Sequence, residues 1–161
     1  MISARMQEAI NAQINAEMWS AYLYLSMSLD AQSKGFAGVS HWFRKQYSEE
    51  MEHAFKFVSY LESQGAKVNL LPIDAVPGEW SGVVEMFEKT LEHEKKVTSL
   101  IWSLCDLAAD DKDYATTNFL QYYVSEQVEE EATAFEILEA AKMVEGDKAA
   151  TYLLDQKLGA R

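Results

Sequence analysis

Residues 65–82, GAKVNLLPIDAVPGEWSG, decide the fold of this 161-residue chain. They include both of its prolines and three of its seven glycines. The stretches 1–34, 39–64 and 83–145 contain neither residue type, which helix interiors avoid. The chain is therefore predicted to be all-α, with long helices on either side of one extended connection.

The helical stretches divide into five predicted helices. The aspartate-rich segment Ala109–Asp113 interrupts the longest stretch, because aspartate favours helix caps and turns. Apolar residues recur at steps of three and four, as on the buried face of a helix. We predict α1 over 3–33, α2 over 37–64, α3 over 80–109, α4 over 113–145 and a short α5 over 147–157.

The connections between these helices predict the topology. Short turns join α1 to α2 and α3 to α4, so each pair is antiparallel. The α2–α3 connection of about fifteen residues spans up to ~50 Å when extended, and a helix of about 28 residues is ~42 Å long. It can therefore return along the whole bundle, which gives an up-down-down-up four-helix bundle plus a short C-terminal helix. A plain up-down bundle with a flexible loop is the alternative.

Composition excludes several classes of function. The chain has 14 basic and 26 acidic residues, a formal charge of −12, so a nucleic acid or an anionic membrane surface is an unsuitable partner. Its single cysteine excludes a disulfide framework or a cysteine-rich metal site. We see neither a signal-peptide layout nor a membrane-spanning run, and we expect one domain over 1–161 in the cytoplasm.

Polar residues interrupt the apolar face of every long helix near its middle. On α2, Glu50 falls at the centre of the face, and His53 follows three residues later on the same side. The other helices place Glu17 on α1, Glu94 on α3, and Gln127 and Glu130 on α4 in equivalent positions. Each helix therefore directs a polar group at the core.

A group of buried carboxylates is costly unless a cation compensates their charges. Oxygen ligands with one imidazole suit iron, manganese or zinc, and Glu-x-x-His on a bundle helix is a di-iron pattern. Here Glu50–His53 is the only copy, and Gln127–Glu130 replaces the second. Each element taken alone also has a simpler interpretation without a metal. The Glu–His pair could lie on the surface, the acidic face of α4 could be solvated, and Tyr24 could be a core aromatic residue.

The stretches SEEMEH, residues 48–53, and YYVSEQVEEE, residues 122–131, resemble the ferritin family, and the likeness covers the whole chain. The non-haem bacterial branch is the most similar. The resemblance implies the ferritin-like bundle and a ferroxidase centre with two irons per subunit. In that centre Glu17, Glu50 and His53 would hold the first iron. Glu94 and Glu130 would help to hold the second, with Gln127 beside it.

The resemblance also implies groups around the centre. Tyr24 matches the tyrosine next to the two irons, and a third iron would have the acidic ligands Glu49, Glu126, Glu129 and Glu130. The expected reaction is oxidation of Fe²⁺ by O₂ or H₂O₂, followed by storage of a ferric mineral inside a cage of 24 subunits. Tyr152, Leu153, Leu154 and Leu158 of α5 are expected to pack against copies of themselves around a symmetry axis.

Three alternatives remain at this point. A haem-containing bacterioferritin would repeat Glu-x-x-His on α4, which is absent here, so we expect no haem although Met51 occupies the haem-ligand position of that branch. A soluble di-metal carboxylate oxidoreductase would act on an organic substrate and store nothing. A metal-free helical bundle would leave its acids solvated.

Overall fold

Five helices and no strands make up the computed structural model, which describes all residues from 1 to 161. Each of α1, α4 and α5 begins after a side chain that caps its first turn: Ser3 accepts from the Met6 N–H, Asp113 from Thr116 and Asp147 from Ala150. The helices are α1 Ala4–Ser33, α2 Ala37–Ser63, α3 Val83–Asp110, α4 Tyr114–Val144 and α5 Lys148–Gly159.

The connection between α2 and α3 runs along α1 from one end to the other. Near its start, the Asn11 amide donates to the Lys67 carbonyl over 3.0 Å. Midway, the Trp19 indole donates to the Ala75 carbonyl, and near the end the Trp80 N–H donates to the Asp30 carboxylate over 3.1 Å. Side chains of α1 thus satisfy the backbone of the connection, which is ordered and not a flexible loop.

Contacts between helices confirm the up-down-down-up order. Arg5, at the start of α1, pairs with Asp111 just after α3, and Met27 near the end of α1 contacts Thr90 near the start of α3. Helices α1 and α3 are therefore antiparallel, and α3 runs in the same direction as α2.

The predicted start of α3 at residue 80 is wrong by three residues. Trp80 lies outside the helix with its side chain buried among residues of the core, and its N–H donates to Asp30. Val83 is the first helical residue, after Gly82. Tertiary packing of one indole therefore fixes this boundary.

The core divides into two apolar clusters, one towards each end of the bundle. The first includes Met27, Phe43, Phe87 and Leu138, and the second includes Ile10, Phe57, Ile101 and Leu120. The central buried polar residues lie between these clusters along each long helix: Glu17 on α1, Glu50 and His53 on α2, Glu94 on α3 and Gln127 on α4.

Helix α5 packs against the start of α2 of the same subunit. The expectation that Tyr152, Leu153, Leu154 and Leu158 all pack against other copies is therefore corrected. A Cβ on Gly38 would lie 1.7 Å from the Asp155 carbonyl oxygen, so the two backbones meet where no side chain fits. Leu158 is buried and Leu154 partly buried against the bundle of the same subunit. Only Tyr152 and Leu153, which are exposed, remain available to a second copy.

None of these helices combines the length and the apolar character that crossing a membrane would require.

Candidate metal centre

Three predicted ligands meet between α1 and α2. Glu17, Glu50 and His53 are all buried, and one ligand atom from each lies within 4.8 Å of the others. Glu50 and His53 are one helical turn apart, and the Nδ1 of His53 lies 3.2 Å from Glu50 Oε2. Two carboxylates and one imidazole at this spacing match the donor set of an iron site.

One oxygen of Glu17 has no hydrogen-bond partner. The Gln13 amide donates to Oε1 of Glu17 over 2.8 Å, whereas Oε2 is fully buried and unpartnered. Buried polar atoms nearly always find a partner, and an orphaned carboxylate oxygen is costly. A cation bound between Glu17 and Glu50 would supply the missing interaction, so these residues fit a metal ion.

Glu94 receives a hydrogen bond on each of its oxygens. Tyr24 of α1 donates its hydroxyl hydrogen to Oε1, and the Gln127 amide of α4 donates to Oε2 over 3.1 Å. Three helices are thereby joined at one carboxylate. Gln127 directs its amide nitrogen at Glu94, so only its carbonyl oxygen remains as a possible metal ligand.

Glu130 lies at the edge of the centre and is held by α2. The Gln46 amide nitrogen donates to Glu130 Oε2 over 2.6 Å, and Gln46 itself is completely buried. This hydrogen bond occupies one oxygen of the carboxylate and leaves the other free. Glu130 is half-buried, so it lies between the core and the surface.

His53 is held from two sides. Its carbonyl oxygen accepts a hydrogen bond of 2.8 Å from the Tyr123 hydroxyl, and its Nε2 lies 3.6 Å from Glu126 Oε2. A metal-binding histidine commonly directs its second nitrogen at a carboxylate, which fixes the ring. Glu126, expected from the sequence at a separate third site, therefore also contacts the first one.

The other two predicted acids of the third site lie further out. Glu49 is partly exposed, and its Oε2 lies 2.6 Å from the Arg161 guanidinium. Glu129 is exposed and makes no hydrogen bond or ion pair. Glu49 lies close enough to Glu130 for its like charge to raise the pKa of Glu130, and Glu126 lies one helical turn before Glu130 on α4.

Burial raises the pKa of every carboxyl at the heart of the centre. The pKa of Glu17 is raised, and that of Glu50 is raised further, since Glu94 and Glu17 add like charge to its burial. Burial raises the pKa of Glu94 to about 7 against the hydrogen bonds from Tyr24 and Gln127. Burial raises the pKa of Glu130 to about 7 as well. Metal binding at neutral pH must therefore release protons.

Two glutamines that hydrogen-bond to glutamates of the centre were not predicted from the sequence. Gln13 and Gln46 each lie four residues before a central glutamate, Glu17 or Glu50, on the same helix face. That repeated Gln-x-x-x-Glu spacing was a usable signal. The contact of Gln46 with Glu130, by contrast, joins α2 to α4, and the sequence of neither helix predicts it.

The glutamate that follows Glu130 is also tied to the centre. Thr98 Oγ1 donates to Glu131 Oε1 over 2.6 Å and accepts from the Gln127 amide. In the sequence, Glu131 was only one member of an acidic run, and no spacing rule singled it out.

Comparison with known proteins agrees with the fold. The family model described as the ferritin-like domain matches residues 7–144. A bacterial non-heme ferritin of Bacteroides fragilis is 47% identical over the full length of both chains, and one of Staphylococcus aureus is 33% identical over 100% of this chain and 97% of its own. The chain belongs to the ferritin family.

Solved structures lead to the same family. An open-pore ferritin from the hyperthermophilic archaeon Archaeoglobus fulgidus superposes with a TM-score of 0.99 at 46% identity, over 100% of this chain and 99% of the archaeal one. A humanized archaeal ferritin superposes with the same score at 45% identity. The predicted ferritin-like bundle with a short fifth helix is confirmed.

Proposed function

We propose that this chain is the subunit of an iron-storage cage and a ferroxidase, with Fe²⁺ as its substrate. The observation that carries the proposal is the convergence of four helices on one buried group of carboxylates, with Glu17 Oε2 unpartnered beside Glu50 and His53. A bound cation would compensate the burial of this oxygen.

The inner ligands divide between two irons. Glu17 and His53 hold the first, Glu94 and Glu130 hold the second, and Glu50 bridges them. Tyr24 and Gln127 orient Glu94 through its two oxygens. Because Gln127 is neutral, it adds less to the affinity for the second iron than a glutamate at this position would, and this favours onward transfer of that iron.

A third iron position on the outer side completes the centre in this proposal. Glu49, Glu126 and Glu130 supply its acids, and Glu129 joins them only after a change of side-chain position, since it is exposed here. Iron that leaves the inner pair would pass this group on its way to the mineral.

The reaction transfers electrons from iron to an oxygen species. Two Fe²⁺ lose one electron each, and one O₂ takes both electrons with two protons to give H₂O₂. Alternatively, one H₂O₂ takes them with two protons to give two waters. The redox chemistry belongs to the iron, and the protein holds both metals within reach of one oxidant.

The proposed assembly, location and partners are those expected for a member of the ferritin family. We propose that 24 copies of one ferritin-like di-iron domain, residues 1–161, form the cage in the cytoplasm. The exposed Tyr152 and Leu153 of α5 are available for contacts between copies. We expect no haem, because the second Glu-x-x-His is missing. We expect neither nucleic acid nor a membrane as partner.

An oxidase that acts on an organic substrate would need an apolar pocket beside the metals. Three cavities, of about 550, 350 and 340 Å³, are lined by other residues and include none of the proposed ligands. This arrangement favours small inorganic substrates at the centre.

Particle mass before and after aerobic addition of Fe²⁺ tests the proposal. A storage cage gives a large closed particle that gains mass as mineral forms inside it. A monomer or dimer that oxidises Fe²⁺ without retaining it would show an oxidase with no storage role. A chain that does neither would show a structural bundle.

A further inference from the structure

The guanidinium of Arg161 lies against the outer side of the metal centre. Its Nη2 donates to Glu49 Oε2 over 2.6 Å, and its Nη1 donates to Gln46 Oε1 over 2.8 Å. The same group lies 4.7 Å from the centre of the Trp42 ring. Only 27% of the side-chain surface is exposed, so this cation has a defined position.

Arg161 also determines how the Gln46 amide is oriented. Arginine can only donate hydrogen bonds, so it must face the amide oxygen. The amide nitrogen is then directed at Glu130 Oε2, 2.6 Å away. One cation therefore acts directly on Glu49 and, through one buried amide, on Glu130.

Helix α5 holds Arg161 in place through contacts that do not involve the guanidinium. The Val39 N–H donates to Asp155 Oδ1 over 2.9 Å, and the backbones of Gly38 and Gly159 are in close contact. His41 Nε2 lies 3.0 Å from the Arg161 carbonyl oxygen. The position of the cation is thus set by the docking of a whole helix.

We propose that Arg161 is a positioning residue that weakens cation binding at the outer carboxylates, so that iron passes through this group without being retained. The inference rests on the proposed role of Glu49, Glu126 and Glu130 as the outer iron group. A fixed positive charge on Glu49 competes with an arriving cation, and it does not touch Glu17, Glu50 or His53. The first inner site should therefore keep its affinity, whereas Glu130 belongs both to the second inner site and to the outer group.

Zinc binding to the metal-free cage tests this inference, because Zn²⁺ occupies carboxylate sites without redox chemistry. We would titrate wild type, Arg161→Gln and Arg161→Lys calorimetrically. Lys157→Gln is the matched control, since it removes one positive charge from the exposed surface of α5, four residues before Arg161. The melting temperature of each variant reports whether α5 stays docked.

The expected result is a change confined to the weakest class of Zn²⁺ sites. Arg161→Gln should tighten this class by about two- to fivefold, the range for a partly exposed ion pair. The gain should shrink at about 0.5 M KCl, where screening weakens the pair. Arg161→Lys should stay close to wild type because it keeps the charge, and Lys157→Gln should change little.

Other outcomes overturn the inference. It fails if Arg161→Gln and Lys157→Gln have equal effects, if Arg161→Lys tightens zinc as much as Arg161→Gln, or if the tight class changes instead. It also fails if the wild type has no weaker class of sites, although rapid oxidation of Fe²⁺ would then still support the proposed function. Loss of that oxidation in the wild type would instead refute the proposed function itself.

Discussion

Tyr24 donates its hydroxyl hydrogen to Oε1 of Glu94, which joins α1 to α3 at the middle of the bundle. These helices belong to different antiparallel pairs, so the contact ties both halves of the fold to one carboxylate. The same bond lowers the pKa of a carboxyl that burial otherwise raises. The hydroxyl group of Tyr24 therefore contributes both to the contact between α1 and α3 and to the charge state of Glu94.

Replacing this tyrosine should shift the pH dependence of Fe²⁺ oxidation. In Tyr24→Phe the pKa of Glu94 rises above about 7, because a hydrogen bond to its charged form is lost. Stopped-flow absorbance should show a larger rate loss at pH 6.5 than at pH 8. The control is Tyr22→Phe, which alters an exposed ring on the same helix. An equal loss at both pH values would show that Tyr24 does not act through Glu94.

The metal-free protein should become less stable as pH rises from about 5.5 to 7.5. Glu50, Glu94 and Glu130 have raised pKa values when folded, so the unfolded chain loses these protons first. Glu94 and Glu130, whose pKa values are raised to about 7, each cost on the order of 1–3 kcal/mol across this window. Urea unfolding with a chelator present measures the effect.

Glu50→Gln should make that dependence shallower, because a neutral amide cannot ionise, while Glu94 and Glu130 still contribute. Glu52→Gln, which changes an exposed neighbour, should leave it as in the wild type. A stability that rises with pH over this range would contradict the raised pKa values.

The outer acids should differ in their influence on the first oxidation phase. Glu126 lies 3.6 Å from His53 Nε2, so Glu126→Gln should loosen the ring and slow this phase by several-fold. Glu49 pairs with Arg161 and touches no inner ligand, so Glu49→Gln should leave the phase near normal and change the iron consumed per O₂. The measurements are stopped-flow absorbance and oxygen uptake. If Glu49→Gln is the slower of the two, the division between inner and outer acids is wrong.

Docking of α5 should depend on the absence of a side chain at residue 38. Gly38→Ala places a methyl group 1.7 Å from the Asp155 carbonyl oxygen, so α5 must shift. We expect a loss of about 1–3 kcal/mol in the free energy of unfolding and impaired cage assembly. Gly78→Ala is the control, because nothing lies within 4 Å of its added Cβ. Sedimentation velocity and thermal melting would report both effects, and an unaffected Gly38→Ala cage would contradict the close contact.

The sequence predicted the helices well because glycine, proline and capping residues mark their ends locally. The start of α3 differed because packing of the Trp80 ring, not a local signal, decides it. Glu17, Glu50 and His53 could be found because each interrupts an apolar face. Their proximity across two helices follows once the antiparallel turn is known.

Contacts between distant segments could not be predicted in this way. The Gln46–Glu130 hydrogen bond and the Arg161–Glu49 ion pair join residues far apart in the sequence, so no regular residue spacing predicts either contact. Glu126 was expected at a third iron site; it lies about 100° around α4 from Gln127, and its long side chain nevertheless reaches His53. Rotation on a helix gives the direction of a Cβ, not the position of a flexible carboxylate.

Rapid oxidation of the first two Fe²⁺ per subunit tests the central claim most directly. Glu50→Ala should abolish this phase in stopped-flow absorbance, because Glu50 is the proposed bridge between the two irons. Glu52→Ala, two residues away and exposed, should keep the wild-type rate. A Glu50→Ala protein that assembles and still oxidises iron at the wild-type rate would contradict a ferroxidase centre at this position.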